Sequence, residues 1–343
     1  MKVSFLGKLK SKGKLLKDIV VFSLKRRIKV DGSNVEYKLP GGFSLSQLDY
    51  DRYLRTKSKE EDTFYWVSLH SNRVDDWNIF LDIGCNVGVF SLLARKLYAD
   101  IDVVAFDPLL ENCITTYKML KENSNIDSVS IVQQAFLSDG TTIQNSINLL
   151  APPGSTIGTA KERSINPSLQ HGSCLSMPLS SFGLFCRQKP DQKKTICKID
   201  VDGPELEILK GFSQDQLSAI GSICVEVDVF EPEIALEIDG FLQAQGLIPS
   251  MSNVKSLDSY ISNSMNEYKT SLNNLKMQLI KNNESGIDDG LIEYLDEIDY
   301  HELRAKTFFS KHKEMSLGAR QTHRIALNWF YFDAGSVSKF VDK

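Results

Sequence analysis

The sequence predicts an α/β protein built on a doubly wound, mostly parallel sheet. Three observations lead there. From Ile79 to Gly246, apolar runs of strand length alternate with longer segments of helical periodicity. Turn residues mark the junctions, as where Pro204 and Gly211 bracket the short helix PELEILKG. The chain has 343 residues, 42% hydrophobic and 24% charged, enough to bury a large core and unlike a disordered chain. Repeated strand–helix alternation implies parallel strands joined by right-handed crossovers.

The elements follow in order. Residues 1–29 carry ten basic residues and one acid, a net +9 in a chain whose total is −4, leaving −13 for the rest. Lysines interrupt the apolar residues and no small-residue cleavage site follows, so this is not a signal peptide. No apolar run approaches the length that spans a bilayer. Phe5, Leu6, Leu9, Leu16, Ile19 and Val20 could share one helical face opposite lysines, for a membrane surface or for the body of the protein. IKVDGSNVEYKL reads as two strands around a turn at 31–34, and KEEDTFYWVSLHSN as a helix.

NIFLDIG, IDVVAFD and SVSIVQQAF are the first three core strands, with helices GVFSLLARKLY and LLENCITTYKMLKEN between them. Residues 137–194 read as a long, partly stranded loop. KTICKIDVDG and SICVEVDVF are the fourth and fifth strands, and PEIALEIDGFLQAQG a helix. Apolar residues at steps of three and four predict one long helix over 254–281. Residues 284–302 hold eight acids and no lysine or arginine, read as a solvated face, with a metal-binding carboxylate cluster as the alternative. LNWFYFD near the end is strongly strand-forming. The expected division is a basic extension over 1–60, a main domain over 61–254 plus 322–343, and a helical, acidic insertion over 255–321.

Six cysteines without a C-x-x-C pair, and five scattered histidines, predict neither a disulfide framework nor a tightly held structural metal. Reduced thiols fit a cytoplasmic protein, at the membrane periphery if the basic segment engages lipid.

Chemistry concentrates at the strand ends. FLDIGCNVGVF places Asp82, Gly84, Asn86 and Gly88 between the first strand and its helix, where glycines permit a tight turn. A dinucleotide fingerprint from Gly84 requires glycine at 86 and glycine or alanine at 89, and the chain has Asn86 and Val89. The D-x-G-x-x-x-G spacing is instead similar to that of S-adenosylmethionine (AdoMet) methyltransferases. A carboxylate suits that ligand's ammonium and sulfonium; the alternative is that the glycines serve packing alone. Asp107 ends the second strand, where ribose hydroxyls are held in such sheets, and Asn112 could assist from the next helix. Ala135 and Phe136 could meet an adenine ring, or Phe136 could simply fill the core.

The block KIDVDGPELEILKGF, with FLDIGCNVGVFSLLA and AFDPLLEN, closely resembles the FkbM family of methyltransferases across residues 79–235. Asp202 stands where that family has Glu, Pro204 where it has Ala, and Ser181 replaces an acid in PLSSF. GST at 154–156 matches its Gly-Ser loop. The resemblance implies a Rossmann-like class I methyltransferase fold; the first 60 residues and 255–321 lie outside it, as an N-terminal extension and a helical insertion before the last strand. It also implies AdoMet as cofactor and a hydroxyl acceptor on a sugar, glycan or related small molecule.

Asp200, at the end of the fourth strand, is the expected base or acceptor orienter. Asp202 and Glu205 are the alternatives, which could act through a divalent ion or could serve only the start of the following helix. Glu226 and Asp228, two apart on the fifth strand, face the same way. The acidic body, and the absence of an N/D-P-P-[YF] block at the fourth strand, argue against a nucleic-acid acceptor. A protein acceptor and a non-catalytic scaffold in a membrane complex are the other readings.

Overall fold

The computed structural model describes residues 27–30, 35–38, 61–70, 77–98, 100–123, 126–137, 142–145, 172–182, 195–201, 203–283, 286, 290–297, 300–316 and 324–334. A hairpin, β1 (Arg27–Val30) and β2 (Val35–Lys38), precedes the body, with Val30 opposite Val35. The expected hairpin strands therefore form, while the turn itself and residues 1–26 lie outside the described residues. Helix α1 (Glu61–Leu69) leads to β3 (Ile79–Ile83), α2 (Val89–Leu97), β4 (Asp102–Asp107), α3 (Leu110–Asn123) and β5 (Val129–Gln133). Next come β6 (Ala135–Phe136), β7 (Thr142–Asn145) and β8 (Gly172–Met177), then β9 (Thr195–Ile199), α4 (Glu205–Lys210), α5 (Gln214–Ala219) and β10 (Ile220–Asp228). The chain continues through α6 (Pro232–Ala244), β11 (Leu247–Pro249), α7 (Ser252–Asn263), α8 (Asn266–Asn282), α9 (Gly290–Glu297) and α10 (Tyr300–Glu314) to β12 (Ala326–Asp333).

Seven strands form the central sheet in the order β11-β12-β10-β9-β3-β4-β5. Strands β3, β4, β5, β9 and β10 run parallel, and β12 is antiparallel to both β10 and β11. The order reverses at β3, which pairs with β4 on one side and β9 on the other. In open parallel sheets the crevice beyond the carboxyl ends at such a switch point is where ligands bind.

Both faces are covered, as near-continuous apolar strands require. Ile79, Leu81 and Ile83 join Ile199, Val225 and Trp329 on one side, under α4, α6, α7, α8 and α10. Phe80, Val103, Ile196, Cys224 and Phe330 face the other, under α1, α2, α3 and α9.

Two expectations are corrected. The apolar stripe over 254–281 is two helices, because Ser264 and Met265 both take extended backbone and reverse the chain. Its periodicity survives the break because Val254, Leu257 and Tyr260 in α7 and Leu272, Leu275 and Leu279 in α8 enter the same core. The third strand also divides. β5 stops at Gln133, and Ala135–Phe136 peel away to pair with Ser176 and Met177 of β8 in a small three-stranded sheet with β7. The helical segment is tied to the sheet by Asn253, whose side chain accepts from Phe330 N at 2.8 Å and donates to Phe330 O at 3.0 Å.

Candidate active site

The turn after β3 is held through its backbone amides, mostly against the end of β4. Gly84 N and Cys85 N both donate to Phe106 O at 2.9 Å, Gly88 N donates to Cys85 O at 2.8 Å, and Asn86 N donates to the Asp107 carboxylate at 2.9 Å. Gly84, Asn86 and Gly88 are left-handed, with φ of 81°, 52° and 77°. A Cβ at Gly84 would lie 1.9 Å from Asp200 O, and one at Gly88 2.5 Å from Thr116 Cγ2. Both glycines allow close chain packing, and Gly84 brings the end of β9 against the turn. Asp200 N completes that join by donating to Ile83 O at 3.0 Å.

Asp82 is fully buried. Its carboxylate accepts from Ser91 Oγ at 2.6 Å, and Lys198 Nζ stands 3.9 Å away. Burial pushes its carboxyl above the ordinary range, with Lys198 and Ser91 pulling the other way. Asp82 thus belongs to a buried charge network beside the turn. Lys198 lies opposite Asp82 in the β3–β9 register, sits 2.9 Å from the Asp200 carboxylate, and has its ammonium 4.9 Å from the Phe90 ring centre. Sequence reasoning quoted Lys198 without giving it a role. The available signal was a lysine flanked in its strand by Ile196, Cys197 and Ile199.

Asp107 sits at the carboxyl end of β4 and gathers three donors, Asn86 N, Leu109 N and Asn112 Nδ2, at 2.9, 2.9 and 3.0 Å. Burial raises its carboxyl to about 6, against those hydrogen bonds. Asn112 thus acts by holding Asp107. Ala135 and Phe136 are both buried, and the Phe136 ring packs edge-on against Phe106 at 4.8 Å, beside Phe182.

On the other side of the switch point, Asp200 keeps a quarter of its side chain exposed while paired to Lys198. Glu205, nearly buried, accepts from Gly203 N at 2.9 Å and Val201 N at 3.4 Å, which closes the turn into α4. Burial raises its carboxyl, opposed first by Arg324. Asp202 lies outside the described residues. Arg324, just before β12, reaches Glu205, Glu226 and Asp228 at 3.4, 3.5 and 3.5 Å. Nothing in the sequence marked Arg324, which is 119 residues from Glu205 and meets it only through the sheet.

The donor set discriminates between cofactors. The amides of Gly84, Cys85, Asn86 and Gly88, which a pyrophosphate would need, are spent within the chain. What remains is acceptor-rich: the Asp107 carboxylate and Asn86 Oδ1, a buried atom without a hydrogen-bond partner in the structure. Such a site fits a cationic ligand bearing hydroxyls, as AdoMet is. Among the described residues, no group of three or more His, Cys, Asp or Glu side chains is placed to hold a metal ion.

Residues 82–249 match the sequence model of the methyltransferase FkbM domain. "Methyltransferase 1" of Beauveria bassiana is 22% identical over 185 residues, covering 49% of this chain and 74% of that protein. "Methyltransferase sdnD" of Sordaria araneosa is 26% identical over 193 residues, covering 48% and 72%. A solved precorrin-6y C5,15-methyltransferase from Geobacter metallireducens is 14% identical and covers 65% of this chain and 82% of its own, with a TM-score of 0.34. That superposition is too loose to add to the strand order. Sheet order, turn and domain match together identify residues 82–249 as an FkbM methyltransferase domain on a class I methyltransferase fold.

Proposed function

We propose that this methyltransferase moves the methyl group of AdoMet to a hydroxyl of a sugar, glycan or related small molecule. One observation carries the choice of acceptor. At the carboxyl ends of β9 and β10, Asp200, Glu226 and Asp228 present carboxylates, and Phe230, Tyr268 and Phe308 form a half-buried aromatic group beside them. Carboxylates accept hydroxyl donors, and ring faces suit the C–H faces of a sugar; a polyol offers both.

When bound, AdoMet supplies an electrophilic methyl on a sulfonium. The chain's share is placement. Asp107 would accept from ribose hydroxyls, using lone-pair capacity beyond its three present donors. Asn86 Oδ1 would accept from a donor on the ligand. The buried Asp82–Lys198–Asp200 network fixes the separation between cofactor turn and acceptor side, and Asp200 orients the acceptor hydroxyl.

The test is incubation with methyl-labelled AdoMet and a lipid and polysaccharide extract of the source cells, followed by mass spectrometry. Label on a hydroxyl of a glycan or glycolipid is expected. Label confined to protein or nucleic acid would overturn the proposal, and so would AdoMet binding with no transfer, which favours a scaffold.

A further inference from the structure

The family match ends at residue 249, yet the acceptor side is completed by a residue 75 positions beyond it. Arg324 is carried into place by β12, whose antiparallel register sets Ala326 against Asp228, and Val229 N donates to Ile325 O at 3.0 Å. Three carboxylates from two elements meet its guanidinium: Glu205 from the start of α4, and Glu226 and Asp228 from one face of β10. All three are at most 16% exposed and the arginine 24%, so this cluster is screened far less than a surface ion pair. One cation against three anions leaves the cluster net negative.

The acids on this side are not equivalent. Glu205 is committed to the backbone of Val201 and Gly203. Asp200, outside the cluster, is already paired at 2.9 Å with the buried Lys198 ammonium. Asp228 takes backbone donors from Phe230, at 2.9 Å, and from Ile325, and a loose contact from Arg324 Nε at 3.5 Å. It also stands two residues from Phe230, on which Tyr268 stacks at 4.9 Å and Phe308 packs at 5.8 Å.

We propose that Arg324 is a positioning residue of the acceptor side, holding Asp228 in place as the group that takes the proton of the acceptor hydroxyl. The inference rests on the hydroxyl-methylation reading above. In the step, the acceptor O–H bond breaks, its electron pair stays on the acceptor oxygen, and the proton lands on the Asp228 carboxylate. The charged groups facing Asp228 are Arg324 before β12, Glu226 on its own strand, Glu205 across the cluster and Glu231 at the start of α6. Burial sets its carboxyl at about 6 against Phe230 N–H and Arg324, which suits a base working near neutrality.

The test uses the full-length protein labelled with [13C]aspartate. The carboxyl resonance that disappears in Asp228→Asn should titrate with a midpoint near 6. It should move up by roughly one pH unit in Arg324→Gln and by less in Arg324→Lys. In parallel, label transferred from AdoMet to the glycan extract should fall about 100-fold or more in Asp228→Asn and about tenfold in Arg324→Gln. The acid limb of the Arg324→Gln profile should shift upward with the carboxyl, at unchanged AdoMet affinity. An Asp228 midpoint unmoved in Arg324→Gln would overturn the inference, as would Asp228→Asn transferring at the wild-type rate with its acid limb intact. If the wild type binds AdoMet but transfers nothing, the hydroxyl-methylation reading fails, and the base role falls with it.

Discussion

At the scale of single residues, the crevice is decided by where carboxylates are buried and what each one faces. Asp107 and Asn112 were legible, because a carboxylate at the end of the second strand has a fixed place in such sheets, and the structure brings them together. Asp82 was legible as an acid but not as a buried one, since its depth depends on Lys198 arriving from a strand 116 residues away. Arg324 was invisible for the same reason. With its carboxyl raised to about 6 from 3.8, Asp107 contributes stability that is fully present below 3.8 and lost as pH rises through about 6. Ligand binding has the opposite sign, because ribose hydroxyls need the ionised form. AdoMet affinity measured by calorimetry should therefore weaken as pH falls through about 6, and Asp107→Asn should lower the affinity and flatten that dependence. Gly84→Ala combines a left-handed φ with a Cβ 1.9 Å from Asp200 O. It should cost about 3 kcal/mol or more, or prevent folding, as read by chemical denaturation.

At the scale of elements, strand and helix positions were legible wherever periodicity and turn residues agreed, from β3 to α6. The breaks at Gln134 and at Ser264–Met265 were not. A helix stripe that continues in phase through a chain reversal looks unbroken, and a strand that changes sheets keeps its apolar residues. The β3–β9 join yields a prediction of its own. Lys198→Met should destabilise by about 3–5 kcal/mol, because it leaves Asp82 buried without its counter-charge. The double variant Asp82→Asn, Lys198→Met should recover part of that loss in the same denaturation experiment. The helical segment shares its core with the sheet through Leu272, Leu275, Leu279 and Phe309, so removing it would expose that core. The aromatic group proposed to meet the acceptor is instead tested by Tyr268→Ala. Transfer to the glycan extract should drop about tenfold or more with AdoMet affinity retained; equal loss of both would show a structural role only.

At the scale of the whole molecule, charge is divided between a basic N-terminal stretch and an acidic body. No helix among the described residues is long and apolar enough to cross a membrane. We propose that residues 1–29 meet an anionic lipid surface, where clustered lysines are worth about 1 kcal/mol each. Sedimentation with phosphatidylserine vesicles should fall sharply in a variant whose lysines at 8, 10, 12 and 14 are replaced by glutamine, with AdoMet binding unchanged; equal sedimentation would refute it. The fold itself was legible because the switch point between β3 and β9 is written in two short blocks, one glycine-rich and one acidic. The most direct test of the site is titration calorimetry of the folded protein with AdoMet and with S-adenosylhomocysteine. Saturable heat with both, lost in Asp107→Ala and absent with NADH, is the predicted result. No heat from either ligand on well-folded protein, or saturation by NADH instead, would contradict it.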